Sequence, residues 1–391
     1  MKLRNSAPHI SRIAAFDILR GLMLAIMLID HIELYPSVFD YFTGRGRLFV
    51  SAAEGFFFLS GILLGIVYRR RITRGAKYIF GRMWLRAGEL YVLAAVTTIG
   101  YALWATWAGN TTIKYGLPNP ADWGELIKQT LTLRYGWGWA DFLMRFCILM
   151  LAAPVVFYGL VRGHWRLVIS LSVITWVFRG ENFTYAWQLL FYGGMVAGYY
   201  WGEVVGYFAS LQPRTRILLN RWLYILAGVS FAISYAVVYL LSYLNTYIES
   251  LPGWLWSVTA TWNDWNEYIW EYAEKWTLGP LRLMLFIIWF SALFILISRH
   301  EARINKLTYG VLDLLGRNSL FVYILHSFIV FVFYLYIIPD QTTRLWSFVI
   351  TGVALAWLVG GTYGYRWLRQ KYPRFAVKGA YRILSKPFQS R

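Results

Sequence analysis

The stretch that decides the fold runs from Arg12 to Gly65. Within it the signal lies in Phe16-Asp17-Ile18-Leu19-Arg20-Gly21, the run on to His31, and Ala52-Ala53-Glu54-Gly55-Phe56-Phe57-Phe58-Leu59-Ser60-Gly61. These segments are apolar enough to cross a bilayer, yet they carry Asp17, Arg20, Asp30, His31 and Glu54. A charged side chain near the bilayer centre costs roughly 2.5–3.5 kcal/mol on insertion scales, so such groups usually face a cavity or a partner and mark a working site. Arg20 and His31 are eleven residues apart, close to three turns at about 3.6 residues each, so they share a helix face. Asp17 stands one turn before Arg20, where the two charges can neutralise each other. At about 1.5 Å per residue, His31 should sit roughly 16 Å further along the helix than Arg20. A plainer arrangement would leave Asp17 and Arg20 at one membrane interface, with His31 and Glu33 emerging at the other.

Composition places the whole chain in the same class. Of 391 residues, 58% are hydrophobic, 19% aromatic and only 15% charged, which is the make-up of an integral membrane protein. The net charge of +19 would suggest nucleic acid in a soluble protein, but the bases gather in short segments between apolar runs and so report topology. No nucleic-acid partner is expected. A lone cysteine, Cys147 in an apolar run, excludes an intramolecular disulfide and a thiolate metal site. No signal-peptide cleavage site follows the first apolar run, so the first span should be retained.

A crossing needs about 20 mostly apolar residues. Ten candidates follow, at residues 14–34, 48–67, 84–108, 141–161, 165–178, 186–205, 222–244, 280–298, 318–338 and 345–365. The fifth is short, but Arg179-Gly180-Glu181-Asn182 interrupts the 165–205 stretch and the loops on either side of that stretch are both basic, so two crossings fit. Most of the 38 Lys and Arg fall in the N-terminal tail (1–13), the Arg69–Arg86 region, Arg162 and Arg166, Arg214–Arg221, Arg299–Arg317 and the C-terminal tail (366–391). The positive-inside rule makes those segments cytoplasmic, with both termini inside. The chain is expected to be an all-α, polytopic, single transmembrane domain over residues 1–391.

Two loops on the opposite side have character, 109–140 and 245–279. The second holds Trp262, Trp265 and Trp270 among carboxylates and amides. Rings that stack on sugar faces beside hydrogen-bonding groups suit a carbohydrate, while an interfacial helix in the aromatic belt accounts for the same residues and is the simpler reading. The basic, aromatic C-terminal tail suits anionic membrane lipid. Asp141 and Arg145, one turn apart, suit a structural ion pair. His326, inside the ninth span, reads first as a hydrogen-bonded packing residue and otherwise as a residue of the substrate site. Gly55, Gly61 and Gly65 should let the second span approach its neighbours closely and enclose a polar site.

Taken together, these residues resemble the OpgC proteins, succinyltransferases of periplasmic glucans within the wider acyltransferase-3 superfamily. The likeness covers most of the chain. Asp17-Ile18-Leu19-Arg20-Gly21 with His31 is similar to the superfamily's Arg, ten residues, His signature. Ala52-Ala53-Glu54 through Ser60-Gly61 to Val67-Tyr68, Arg86-Ala87-Gly88-Glu89-Leu90-Tyr91, Trp187-Gln188-Leu189-Leu190-Phe191 to Gly194, and Leu315-Gly316-Arg317-Asn318-Ser319-Leu320 to His326 resemble OpgC specifically. Ser51 stands where the family pattern has an acidic residue. Of the candidate Arg-x-x-Arg pairs, Arg71 and Arg74 fit the spacing, whereas Arg82 and Arg86 are one residue further apart.

The resemblance implies O-acyl transfer, succinyl or acetyl, from cytoplasmic acyl-CoA to a hydroxyl of an extracytoplasmic glycan, in a bacterial cytoplasmic (inner) membrane. Acyl-CoA is then a co-substrate and no tightly bound cofactor or metal is expected. Such chemistry needs a base for the hydroxyl proton and positive charge for CoA phosphates. His31 suits the base, since imidazole titrates near neutrality. Asp30 or Glu54 could orient it, and Asp17 and Arg20 would shape the cavity. Arg69, Arg70, Arg71, Arg74, Arg82 and Arg86 suit the phosphates, with guanidinium favoured for bidentate geometry. A secondary transporter of a sugar or acyl-bearing solute is the alternative, since it too would have about ten spans and intramembrane ionisable groups. Against it stand the absence of an internal repeat and the concentration of charge in the first two spans. The residues leave the oligomeric state open.

Overall fold

The computed structural model describes residues 13–34, 37–109, 122–246, 250, 252–337 and 343–372. The expected N-terminal tail, the middle of the 109–140 loop and the C-terminal tail past 372 lie outside the described residues. Among the described residues the fold is all-helical. In chain order the helices are α1 (Ala14–Ile32), α2 (Asp40–Thr43), α3 (Ala52–Arg69), α4 (Ala76–Trp107), α5 (Trp123–Leu131), α6 (Asp141–Val161), α7 (Trp165–Val177), α8 (Phe183–Tyr199), α9 (Trp201–Ser210), α10 (Pro213–Tyr235), α11 (Ser242–Thr246), α12 (Gly253–Tyr272), α13 (Pro280–Leu307), α14 (Val311–Arg317), α15 (Ser319–Tyr336) and α16 (Arg344–Lys371).

Seven helical segments among the described residues are long and apolar enough to cross a membrane: Ala52–Arg69, Ala76–Trp107, Gly138–Val161, Pro213–Leu241, Pro280–Leu307, Ser319–Tyr336 and Arg344–Lys371. The chain is an integral membrane protein by this measure. Four of these helices overrun the spans expected from hydropathy by a turn or more, each at a basic end. Helix α4 begins at Ala76 rather than 84 and takes in Lys77 and Arg82; α10 begins at Pro213 rather than 222 and takes in Arg214, Arg216 and Arg221. Helix α13 runs on through Arg303 and Lys306, and α16 through Arg366, Arg369 and Lys371. A hydropathy window stops at the first bases, whereas the backbone ladder continues through them, because Arg and Lys are good helix formers.

Helix α1 sits at the centre, packed by α3, α13, α14, α15 and α16. Its apolar residues Ala15, Ile18, Leu19, Leu24, Leu28 and Ile32 are fully buried. Glycine sets two close crossings. A Cβ on Gly21 would strike the Leu312 carbonyl, and one on Gly316 would strike the carbonyl of Asp17, so α1 and α14 touch backbone to backbone. Between α3 and α8 the same contact is made from both sides. Gly61 and Gly65 lie against Phe191 and Met195, and Gly194 and Gly198 lie against Phe58 and Ile62. Each helix thus offers two glycines four residues apart, the small-residue spacing by which membrane helices pack closely. Gly55 meets the Met23 side chain of α1.

Helices α7 and α8 form a hairpin. Asn182 caps α8 by accepting from the Tyr185 amide at 3.2 Å, and the Gln188 side chain donates to the Ser172 carbonyl at 2.7 Å. With 13 residues, α7 is about 20 Å long, short of a bilayer core of about 30 Å.

Candidate active site

Two cavities flank α1, one towards each end. The first, about 370 Å³, is lined by Arg20 together with Arg71, Arg82 and Arg86, and by Ser60, Ser319, Phe56, Phe146 and Tyr323. Among the described residues, no carboxylate lines it. Arg20 has a buried Nε without a hydrogen-bond partner, and its guanidinium lies 5.8 Å from the Phe56 ring centroid. Arg86 donates to Glu89 at 2.5 Å.

The six expected phosphate-binding arginines divide at this cavity. Arg71, Arg82 and Arg86 line it. Arg69 instead pairs with Glu203 at 2.5 Å, donates to the Tyr199 carbonyl and lies over the Tyr199 ring. Arg74 donates to Tyr78 at 2.9 Å and lies over its ring, and Arg70 is exposed.

The second cavity, about 760 Å³, lies at the His31 end. Asp30, His31 and Glu33 reach it from α1, Arg45 and Arg47 from the loop after α2, and Ser51, Ala52 and Ala53 from the start of α3. Residues 134–145 add Arg134, Tyr135, Trp139, Asp141, Phe142 and Arg145, while Trp187, Glu274, Lys275 and Trp276 close the far side. Glu33, Arg45, Leu133 and Leu278, in loops bordering this cavity, hold positive φ of 51–58° although none is glycine. Left-handed backbone of this kind costs roughly 1–2 kcal/mol per residue and gathers at functional sites. The Asp141–Arg145 pair forms as expected, at 2.8 Å, and the Arg145 guanidinium rests 4.0 Å from the Phe183 ring centroid and 5.1 Å from that of Trp276.

His31, which lines this cavity, meets a second histidine 295 positions away: His31 Nδ1 lies 2.8 Å from His326 Nε2. His326 is fully buried, and its own Nδ1 lies 3.3 Å from the Tyr323 carbonyl. The sequence reading of His326 as a packing residue therefore captures its burial and hydrogen bonding but not its partner. No hydrogen bond among the described residues joins Asp30 or Glu54 to His31. Both Glu54 oxygens are committed elsewhere: Oε1 accepts from Arg282 at 2.5 Å, while Oε2 accepts from the Ser51 amide at 2.9 Å and its hydroxyl at 2.6 Å. Ser51, standing in place of the expected acid, thus caps α3 with Glu54. Arg282 further donates to the carbonyls of Ala273 and Leu48, so this buried pair ties two loops of the cavity to α3 and α13.

A wall of aromatic rings separates the cavities. Tyr323 lies 6.1 Å from Phe56 and 6.2 Å from Phe142 by ring centroids, and 5.6 Å from His326. Its hydroxyl donates to the Trp139 carbonyl at 2.6 Å, and Trp139 stacks on Tyr334 at 5.0 Å, which locks the 134–140 loop onto α15.

Trp262, Trp265 and Trp270 do not line this cavity. They lie on α12, where Trp262 and Trp265 border a shallow apolar groove with Ser257 and Thr261, and Trp270 packs edge-on against Phe49. The cavity that His31 lines is bordered instead by the rings of Tyr135, Trp139, Phe142, Phe183, Trp187 and Trp276, of which sequence reasoning quotes only Trp187, within the Trp187–Gly194 motif. Tyr135-Gly136-Trp137-Gly138-Trp139, one residue short of Asp141, carries the signal that could have found Tyr135 and Trp139: alternating rings and glycines against the mouth of a span. Among the described residues no cluster of His, Cys, Asp or Glu is arranged to hold a metal ion.

Fold and site define a helical membrane protein with a cationic cavity and a polar, aromatic-lined cavity set back to back, the second lined by one member of an imidazole pair. The chain belongs to the OpgC family, whose model, described as OpgC protein, matches residues 12–370. Membership implies a transferase role on glucans. Comparison with curated proteins and with solved structures gave no match.

Proposed function

We propose that this protein is a membrane-embedded O-acyltransferase that takes an acyl group from acyl-CoA at the Arg20 cavity and places it on a glycan hydroxyl at the His31 cavity. The observation that carries this reading is that His31, paired with His326, lines a cavity bordered by aromatic rings, back to back with a cavity whose charged lining, among the described residues, is Arg20, Arg71, Arg82 and Arg86. Guanidinium groups in that number suit the phosphates of CoA. Flat rings beside charged and polar groups suit a sugar.

In the reaction, the glycan hydroxyl oxygen bonds to the thioester carbonyl carbon and the C–S bond breaks. His31 removes the hydroxyl proton and returns it to the departing sulfur. Glu54 acts at a distance, as the group that with Ser51 and Arg282 fixes the start of α3. The two cavities meet at the Phe56, Phe142 and Tyr323 wall, so the acyl-bearing arm has to pass there.

In this reading the seven long apolar segments are joined as crossings by α1, α7 and α8, which gives ten spans with both termini cytoplasmic in the inner membrane. The overruns of α4, α10, α13 and α16, all basic, then fall on the cytoplasmic side with the Arg20 cavity. Mass spectrometry of glucans from cells carrying the gene, lacking it, or carrying His31→Ala tests the proposal. Acylated glucan should appear only with the unaltered gene. Glucans identical in all three would count for the transporter reading.

A further inference from the structure

We propose that His326 is a positioning residue that fixes the tautomer of His31, through a two-imidazole relay starting at the Tyr323 backbone carbonyl. The inference rests on the reading of His31 as the base. A neutral imidazole carries one N–H and one lone pair, and which nitrogen holds the hydrogen follows from the bonds its neighbours allow.

Tyr323 O is a carbonyl oxygen and can only accept. His326 Nδ1, 3.3 Å away, therefore bears its hydrogen. The other nitrogen of His326, Nε2, is then a lone pair, and it faces His31 Nδ1 at 2.8 Å. His31 must donate there. Its remaining nitrogen, Nε2, is left unprotonated, and no hydrogen bond among the described residues engages it, while the ring lines the cavity. A base needs that lone pair.

The reversed chain of hydrogens fails on the same distances. It would set the His326 Nδ1 lone pair against the Tyr323 oxygen and place a hydrogen on His31 Nε2, where the hydroxyl proton has to go. A shared extra proton fails on burial: among the described residues no carboxylate hydrogen-bonds to either ring, and His326 is fully buried, so an imidazolium there would be an unpaired buried charge.

The choice of a neutral partner also bears on the second half of the reaction. When His31 accepts the hydroxyl proton at Nε2, its Nδ1–H bond to His326 becomes charge-assisted and strengthens. A carboxylate in that place would neutralise the imidazolium and make it hold the proton. His326 stabilises it without cancelling its charge, so His31 gives the proton up readily to the thiolate of CoA as the C–S bond breaks.

Two measurements test the relay. The first is nitrogen-15 NMR of the full-length protein in detergent with labelled histidine, assigning His31 by the signals lost in His31→Gln. The unaltered protein should show His31 protonated at Nδ1 and bare at Nε2; a hydrogen on Nε2 would overturn the proposal, whatever the activity. The second is steady-state kinetics of His326→Gln, which keeps an acceptor for His31, against His326→Leu, which keeps the bulk without one. The Leu variant should lose about 10–100-fold in kcat, the usual cost of removing a group that orients a functional imidazole, at little change in KM for either substrate. The Gln variant should recover most of that loss. Equal rates for the two variants would sink the relay. Near-normal transfer by His31→Ala would instead remove the base assignment, and the spectrum would still decide the tautomer.

Discussion

The two cavities at the ends of α1 differ in charge balance more than in size. The Arg20 cavity is lined by four arginines and, among the described residues, no carboxylate. The His31 cavity mixes Arg45, Arg47, Arg134, Arg145 and Lys275 with Asp30, Glu33, Asp141 and Glu274, and adds aromatic platforms. A lining whose charged members are all arginines favours an anionic occupant, whereas a balanced lining with flat rings suits a neutral polyhydroxylated ligand. On the proposed reading, one helix presents a polyanion site and a sugar site, about three turns apart.

The comparison breaks most completely if the scaffold that shapes the His31 end is cut. Removing one partner of the buried Glu54–Arg282 pair should cost about 3–5 kcal/mol, because the other charge stays buried alone. Thermal unfolding in detergent should show Arg282→Leu strongly destabilised and the double change Glu54→Gln with Arg282→Met much less so. Equal stability of single and double variants would mean the pair is not what holds the two loops. Gly198→Leu, which drives a side chain into the Ile62 backbone of α3, should cost about 1–3 kcal/mol in the same assay.

The charge contrast itself is sharpened by Arg82→Gln with Arg86→Gln. Loss of charge-assisted contacts worth about 1.5–3 kcal/mol should raise KM for acyl-CoA by roughly 10-fold or more while leaving KM for glucan unchanged. Arg69→Gln and Arg74→Gln should do less, since Arg69 is held by Glu203 and Arg74 by Tyr78. An acyl-CoA KM that responds to Arg69 and not to Arg82 and Arg86 would move the anion site away from the Arg20 cavity. The smallest effect is expected at α12. Trp265→Ala should leave glucan KM within about 2-fold, against a loss of about 1–3 kcal/mol per stacked ring for Trp139→Ala, taking ring stacking on bases as the guide. The reverse order would return the sugar site to α12.

Much of this contrast is legible in the amino-acid sequence alone. Arg20 and His31 stand out because ionisable groups in an apolar run are expensive, and the eleven-residue spacing places them at successive levels of one helix. Gly61 and Gly65 announce a close helix crossing, although their partners Gly194 and Gly198 on α8 do not follow from hydropathy. What escapes is anything set by the meeting of distant segments. His31 and His326 are far apart in sequence, and periodicity within one helix says nothing of the register between two. Glu54 reads as an orienting acid because its partners, Ser51 and Arg282, lie on a cap and on a span far along the chain. The Trp-rich α12 draws attention by composition, while the shorter Tyr135–Trp139 run, locked by Tyr323 and Tyr334, supplies the rings at the cavity.

The central claim, one reaction carried across the wall between the two cavities, is tested most directly in proteoliposomes with glucan trapped inside and labelled acyl-CoA supplied only outside, to protein inserted with its basic ends outward. The expected result is acylated glucan in the lumen, with His31→Ala inserted normally yet slower by about 10²-fold or more, the usual contribution of a positioned base. Acylation only when both substrates share a side, or near-normal turnover by His31→Ala, would contradict the account.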